Sequence, residues 1–341
     1  MKKKFFLFFL VALAGVAFLT IGSIKAEAAP IKLTYSNFFP PFHIQSKLAE
    51  AWCKEVEKRT NGRVVVQYFP KGTLTKARQV YDGVVTGLSD IGFSVLAYTG
   101  GRFPVLSAID LPLGYTSGKK ATAIANGFVR KFNPKEVQDT KVMYLHAHGP
   151  GLVHTVKDKP VKTLEDMKGL KLRGHGTSAK FEKALGAVPV GKPMPECYQM
   201  IQKGVVEGAA YPLEANKGWR LAEVTKNATA AYSAAYTTTF FVVMNKDKWN
   251  SFPADIKKII EDINKEWVVK HAEAWDTSDL VGAQYFLSKG GTIWGLDKKE
   301  SARWAKAVAP VADKYIADMK KKGFSDAKKY VDYVKAALAK K

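Results

Sequence analysis

Thr163-Leu164-Glu165-Asp166-Met167-Lys168-Gly169-Leu170-Lys171-Leu172-Arg173-Gly174 reads as a helix, a stop and a strand in twelve residues. Thr163 supplies a cap, Glu165 and Asp166 put carboxylates at the positive end of a short helix, and Gly169 ends it. Leu170 to Arg173 is then a short strand that alternates leucine with Lys171 and Arg173. An arginine at the end of such a strand points toward a crevice. Its guanidinium is a planar fork of donors that matches a carboxylate.

Outward from this unit the chain alternates strands and helices. On the N-terminal side, Ile31 to Tyr35 is a strand. Gln45 to Arg59 is a helix, with Ile44, Leu48, Trp52 and Val56 in phase and Asn61-Gly62 as its stop. Val64 to Phe69 is a strand, Lys76 to Gly87 a helix with Val80, Val84 and Leu88 in phase, and Ile91 to Tyr98 a third, apolar strand. Strands joined through helices imply right-handed crossovers and a parallel sheet covered on both faces.

A second unit follows. Lys141 to His148 and Leu152 to Val156 read as strands. Beyond Arg173 come a helix from Ser178 to Leu185, a short strand Val188 to Val190, a helix from Tyr198 to Lys203 and an extended Gly208 to Tyr211. Tyr236 to Met244 is a β-rich run long enough to cross between two sheets. Pro253 opens a long helix toward Leu287, with Ile256, Ile259, Ile260, Ile263 and Trp267 in helical phase. Glu300 to Lys320 and Asp326 to Ala339 are closing helices. The expected architecture is α/β: a two-domain clamshell hinged by crossing strands and a long helix. Residues 29–150 with about 243–285 form the first domain, and 151–242 with about 286–341 the second.

The first 28 residues read as an export signal. Lys2-Lys3-Lys4 precede an uncharged apolar run from Phe5 to Ile24, and Ala26-Glu27-Ala28 is a cleavage site. Cleavage near Ala28 leaves about 313 residues, enough for two domains, and takes the formal net charge from +22 to +19. The lysines are scattered over the polar faces of helices, as in Lys119-Lys120 and Lys320-Lys321-Lys322, so the charge is a solvated surface and nucleic acid is no partner. Cys53 and Cys197 each fall within an amphipathic helix and read as small buried residues. No Cys/His cluster has metal-ligand spacing, and no nucleotide or nucleophile motif is present. No metal and no cofactor are expected.

Ligands of open α/β sheets bind at the carboxyl ends of strands, and aromatic residues crowd those positions. Phe38, Phe39 and His43 follow the first strand, and Leu96 and Tyr98 end the third. His148 and Arg173 end strands of the second unit. Tyr211 and Glu214 follow another, with Trp219 close behind. Tyr236 and Phe240 sit on the crossing run. These are the candidate ligand-binding residues. An alternative is a secreted enzyme with Glu214 and His43 or His148 as acid and base, but nothing pairs these residues in sequence.

His43-(x)6-Glu50 precedes Thr60-Asn61-Gly62-Arg63-Val64, and Gly72-Thr73-Leu74 and Gly87-Leu88-Ser89-Asp90-Ile91-Gly92 follow. Lys162 through Arg173, Gly204-Val205-Val206-Glu207-Gly208 and Met244-Asn245-Lys246-Asp247-Lys248-Trp249 complete the series. In this order and spacing the chain resembles the periplasmic solute-binding proteins of TRAP transporters, the DctP-like group. The resemblance implies a periplasmic, monomeric protein that closes on an organic anion, without catalysis, and delivers it to membrane permease subunits. It implies that Arg173 pairs with the ligand carboxylate. A ligand sensor for a membrane receptor is the alternative with a different partner. The chain departs from sialic-acid and dicarboxylate binders at Tyr211, where they usually carry Asn. It departs again around Val153, where several members place a second arginine or polar residue. A single arginine among many aromatics favours a monocarboxylate with an aromatic or apolar body, or a 2-oxo acid.

Overall fold

The computed structural model describes residues 29–340, and the export signal expected over 1–28 lies outside them. The first domain begins with β1 (Ile31–Asn37), α1 (Ile44–Arg59), β2 (Val64–Phe69), α2 (Val80–Val85) and β3 (Ile91–Val95). β1 pairs in parallel with β2, from Ile31↔Val64 to Ser36↔Phe69, and with β3 on its other side. α3 (Gly118–Phe132) then leads to β4 (Thr140–Ala147).

The second domain comprises β5 (Leu152–Thr155), β6 (Lys171–Gly174), α4 (Gly176–Ala184), β7 (Val188–Gly191), α5 (Cys197–Gln202), β8 (Gly208–Tyr211), α6 (Ala215–Gly218) and β9 (Asn227–Ala230). The chain returns through β10 (Thr239–Asn245), α7 (Lys246–Asn250) and α8 (Ala254–Ser288). It finishes with β11 (Thr292–Gly295), α9 (Lys298–Lys321) and α10 (Ala327–Ala339). The two sheets run β2-β1-β3-β10-β4 and β11-β9-β5-β8-β6-β7. Two domains with covered sheets are thus the observed architecture.

Crossing strands form the hinge. β10 lies antiparallel between β3 and β4, and β5 lies antiparallel between β8 and β9. Between the sheets the two crossings bridge at Gly151 and Tyr236. A Cβ at Gly151 would sit 2.3 Å from the Tyr236 ring, so only glycine lets the strands approach there.

α8 is the second connection. Its 35 residues span about 52 Å at 1.5 Å per residue. In the first domain the indole N–H of Trp52 donates to Asn264 Oδ1 at 2.9 Å, and that of Trp267 donates to the Leu48 carbonyl at 2.7 Å. Toward the second domain Asp279 Oδ1 accepts the Glu214 backbone N–H at 2.8 Å. Gly282 passes so close to Leu213 that a Cβ would lie 2.2 Å from its carbonyl oxygen. Ile256, Ile260, Ile263 and Trp267 are buried against Trp52 and Val56 of α1.

Several elements depart from the sequence reading. The strand expected over Ile91–Tyr98 stops at Val95, and Leu96–Tyr98 is a 3-10 turn. The helix expected over Lys76–Gly87 forms only at Val80–Val85. Ile44 and Leu88, read in phase with the core, are exposed. α3, β9 and β11 were not read: α3 carries glycine and asparagine, and Asn227–Ala230 has no apolar alternation. The last helix, grouped above with the second domain, packs on α3 and on Leu106–Ala108 of the first. Trp304 and Val308 of α9 join the second-domain core, whereas Val311, Tyr315 and Met319 join the first. α9 therefore carries the chain back across.

Candidate ligand cavity between the domains

Arg173 is the penultimate residue of β6 and is 2% exposed. Its Nε–H donates to the Lys192 carbonyl at 2.7 Å, which fixes the plane of the fork. One terminal nitrogen lies 3.5 Å from Met194 Sδ and the other 3.5 Å from the Tyr98 hydroxyl. No carboxylate comes within the 4.0 Å of an ion pair among the described residues. An isolated buried cation is costly, by several kcal/mol, unless something pairs it. Glu182 is buried nearby, its Oε1 accepting from the Ala210 N–H at 3.2 Å while Oε2 has no partner. Burial pushes Glu182 up to about 8 against the pull of Arg173, which favours its neutral form at pH 7.

Arg173 heads a tight cavity between the domains, about 40 Å³ as swept by the centre of a water-sized sphere. The loop after β1 contributes Phe38 and Phe39, the turn after β3 contributes Tyr98, and β10 and α8 contribute Phe240 and Trp275. Trp219, from the second domain, stacks on Phe38 at 6.0 Å and leans on Phe39 at 5.5 Å. Phe240 stacks on Trp275 at 5.0 Å. The walls therefore present flat apolar faces, and the rings of the two domains touch across the gap.

Three neutral or paired polar groups share the lining. His148 gives its Nδ1 to the Gly149 carbonyl at 2.6 Å, and burial pushes the ring down to about 4. His175 holds the position before α4, where its backbone N–H donates to Ser178 Oγ at 2.9 Å, and it packs its ring on Tyr98 at 4.6 Å. Burial, with Arg173 second, lowers His175 well below the ordinary range. Glu214 sits in the lining with its Oε2 3.1 Å from His43 Nε2, a polar contact between the two domains. Arg173 is the one lysine or arginine among the lining residues described.

The structure brings Phe38, Phe39, Tyr98, His148, Arg173, Tyr211, Glu214, Tyr236 and Phe240 to one cavity. Tyr211 faces it only in part, because its hydroxyl is engaged by Thr225 Oγ1 at 2.9 Å and its ring stacks on His154 at 3.8 Å. His43 stands behind the wall through Glu214 and lines an adjoining surface groove. Leu96 is a correction. The 3-10 turn after Val95 breaks the strand alternation and sends its side chain into the outer core with Val80, Tyr81 and Phe103. Trp219, noted beside Glu214, lines the cavity, whereas Trp275, His175 and Met194 carried no sequence signal of their own. His175 was available from Arg173 by period-two spacing. Among the described residues no group of three His, Cys, Asp or Glu is placed to hold a metal ion. No helix there is long and apolar enough to cross a membrane. Cys53 and Cys197 are buried and unbridged.

Comparison with known proteins follows the same lines. The model of bacterial extracellular solute-binding protein family 7, DctP, matches residues 35–318. The C4-dicarboxylate-binding periplasmic protein DctP of Rhodobacter capsulatus is 26% identical over 312 residues, covering 89% of this chain and 92% of that protein. A TRAP solute-binding protein of Rhodoferax ferrireducens T118, solved with copurified benzoate, is 30% identical with a TM-score of 0.85, covering 91% of this chain and 98% of that one. A marine metagenome TRAP solute-binding protein specific for aromatic acid ligands, solved with metahydroxyphenylacetate, is 29% identical with a TM-score of 0.86, covering 91% and 98%. The family match spans both sheets and the cavity between them, and the chain belongs to the DctP family of TRAP-transporter periplasmic solute-binding proteins.

Proposed function

We propose that the chain captures an aromatic monocarboxylate between its domains and hands it, closed, to the membrane subunits of a TRAP transporter. The observation that carries this reading is a buried guanidinium with no carboxylate partner at the head of a ring-walled cavity. A ligand carboxylate supplies the missing charge through a bidentate pair. Flat rings on both sides suit an aromatic body, whose burial contributes on the order of 1–3 kcal/mol. A second carboxylate has no second cation to meet and faces Glu214 instead. The solved relatives with benzoate and metahydroxyphenylacetate support the aromatic reading, while the Rhodobacter relative named for C4-dicarboxylates marks the family's range. The ligand is bound and released unchanged. Binding shifts the domains toward closure by the extra affinity of the closed form. The protein acts in the periplasm after processing near Ala28, and one copy of the chain contains the whole cavity.

Mass spectrometry of ligand released from the purified protein, followed by calorimetry with benzoate, phenylacetate and succinate, tests this reading. Aromatic acids are expected to bind and succinate not to. Succinate binding more tightly than both aromatic acids would overturn it.

A further inference from the structure

His148 sits 4% exposed in the cavity wall. Three lining rings surround it, Tyr236 at 5.7 Å, Trp275 at 6.1 Å and Phe240 at 6.2 Å between centroids. Its backbone is pinned, for the Thr237 hydroxyl donates to its carbonyl at 2.6 Å and its N–H reaches the Thr238 carbonyl. The ring has a fixed polarity. Nδ1 lies 2.6 Å from the Gly149 carbonyl oxygen, which can only accept, so Nδ1 carries the proton. Burial keeps the ring neutral at pH 7, and Nε2 is left as a bare lone pair.

Among the described residues no side chain or backbone group donates to that lone pair, which the cavity leaves accessible. The nearby Trp275 indole N–H is committed to His146 Nδ1 at 2.9 Å. A ligand that fills the cavity shuts this acceptor off from water, and an acceptor then left without a donor is costly. The cavity therefore asks its ligand for more than a carboxylate and a ring.

We infer that His148 Nε2 is a specificity determinant that accepts a hydrogen bond from a hydroxyl of the ligand, so that the preferred ligand is an aromatic hydroxy acid. The inference rests on the carboxylate reading above and adds a second polar contact to it. An acid without the hydroxyl leaves Nε2 unpaired. An oxo or methoxy analogue sets a lone pair against a lone pair. A site built around a hydrogen-bonding group discriminates against ligands that lack it far more strongly than an apolar pocket discriminates by size. His175, two residues beyond Arg173 on an extended backbone, has its own unpartnered Nδ1 on the same side. It stands at the carboxylate end, whereas His148 stands among the rings.

Calorimetry on the whole protein at pH 7.5 decides the matter with matched acids: benzoate, its three hydroxy and methoxy derivatives, mandelate and phenylglyoxylate. At least one hydroxy acid is expected to bind about tenfold or more tighter than its parent, with the methoxy or oxo partner weaker than the parent. In His148→Phe the hydroxy and parent acids are expected to fall within about twofold of one another. Parent, methoxy and oxo acids that bind the wild-type protein as tightly as every hydroxy acid overturn the inference and leave the carboxylate reading standing. A hydroxyl preference that survives His148→Phe overturns it too. No binding by any of the acids overturns both. Should His148→Phe fail to fold, the wild-type series alone decides.

Discussion

The Tyr98 hydroxyl, on the first domain, accepts a hydrogen bond at 2.8 Å from the backbone N–H of Met194 on the second. The same hydroxyl lies 3.5 Å from the Arg173 guanidinium. One phenol thus reads out both domain closure and the charge at the head of the cavity. The rest of the seam agrees: Trp219 covers Phe38 and Phe39 from the other side, and the Arg78 guanidinium donates to the Gly191 carbonyl at 3.2 Å. Arg173 is therefore held between Lys192 of its own domain and Tyr98 of the other, and the anion-binding end is complete only when the halves meet.

Replacing Arg173 separates binding from folding. Arg173→Ala removes the charged donor and is expected to weaken binding of an aromatic acid by about 2–4 kcal/mol, roughly 30- to 1,000-fold. Because the guanidinium is buried with no ion-pair partner, its loss should not lower the melting temperature of the free protein. Arg173→Lys keeps the charge but loses the fork and should fall between the two. Unchanged affinity by calorimetry in Arg173→Ala would remove the arginine from the site.

Gly176 gives a handle on closure alone. It has φ +52, and a Cβ there would stand 2.6 Å from the Cβ of Ala97 on the other domain. Gly176→Ala is expected to hold the halves apart and weaken binding by about tenfold. Small-angle scattering in saturating ligand should show a larger radius than for the native protein. The same radius at saturation would mean that this contact does not limit closure.

Trp219 tests the aromatic wall. It is half-buried, and its partners Phe38 and Phe39 belong to the other domain. Trp219→Ala is expected to cost about 1–2 kcal/mol of ligand affinity while the melting temperature without ligand moves little. A stability loss without an affinity loss would make Trp219 a packing residue of its own domain.

Glu182 predicts a pH dependence. An ordinary glutamate titrates near about 4.3, and burial pushes Glu182 up to about 8 against the attraction of Arg173. Between those values the folded chain holds a proton that the unfolded chain has released. The stabilisation is therefore complete below about pH 4.3 and is lost as pH rises through about 8. Glu182→Gln should narrow the difference in melting temperature between pH 5 and pH 8.5 by a few degrees. It should also protect ligand affinity above pH 8, where an ionised Glu182 competes for Arg173. Identical pH profiles for the two proteins would refute the assignment.

The sequence offered Arg173 as a candidate through its place at a strand end together with the family resemblance, and Phe38 and Phe39 because two prolines follow them in a loop. The strand and helix alternation was legible because β1, β2 and β3 carry their own apolar residues. What stayed hidden depends on pairing at a distance. Trp275 comes to the wall from the middle of α8, and its indole is anchored on His146 of β4. Leu96 failed because a single 3-10 turn reverses side-chain direction, which the local pattern does not encode. β9 reads as polar yet lies inside the sheet, between β5 and β11. His43 and Glu214 were both named, but only the closed fold shows that they meet.

The route of the chain has a genetic consequence. It passes between the domains at 147–152, returns at 230–239, leaves again along α8 and comes back along α9. Neither half is a continuous stretch of sequence, so neither can be excised, duplicated or exchanged with a relative by recombination at one junction. Point substitution around the cavity is then the simpler route to a new ligand preference, with both halves inherited together.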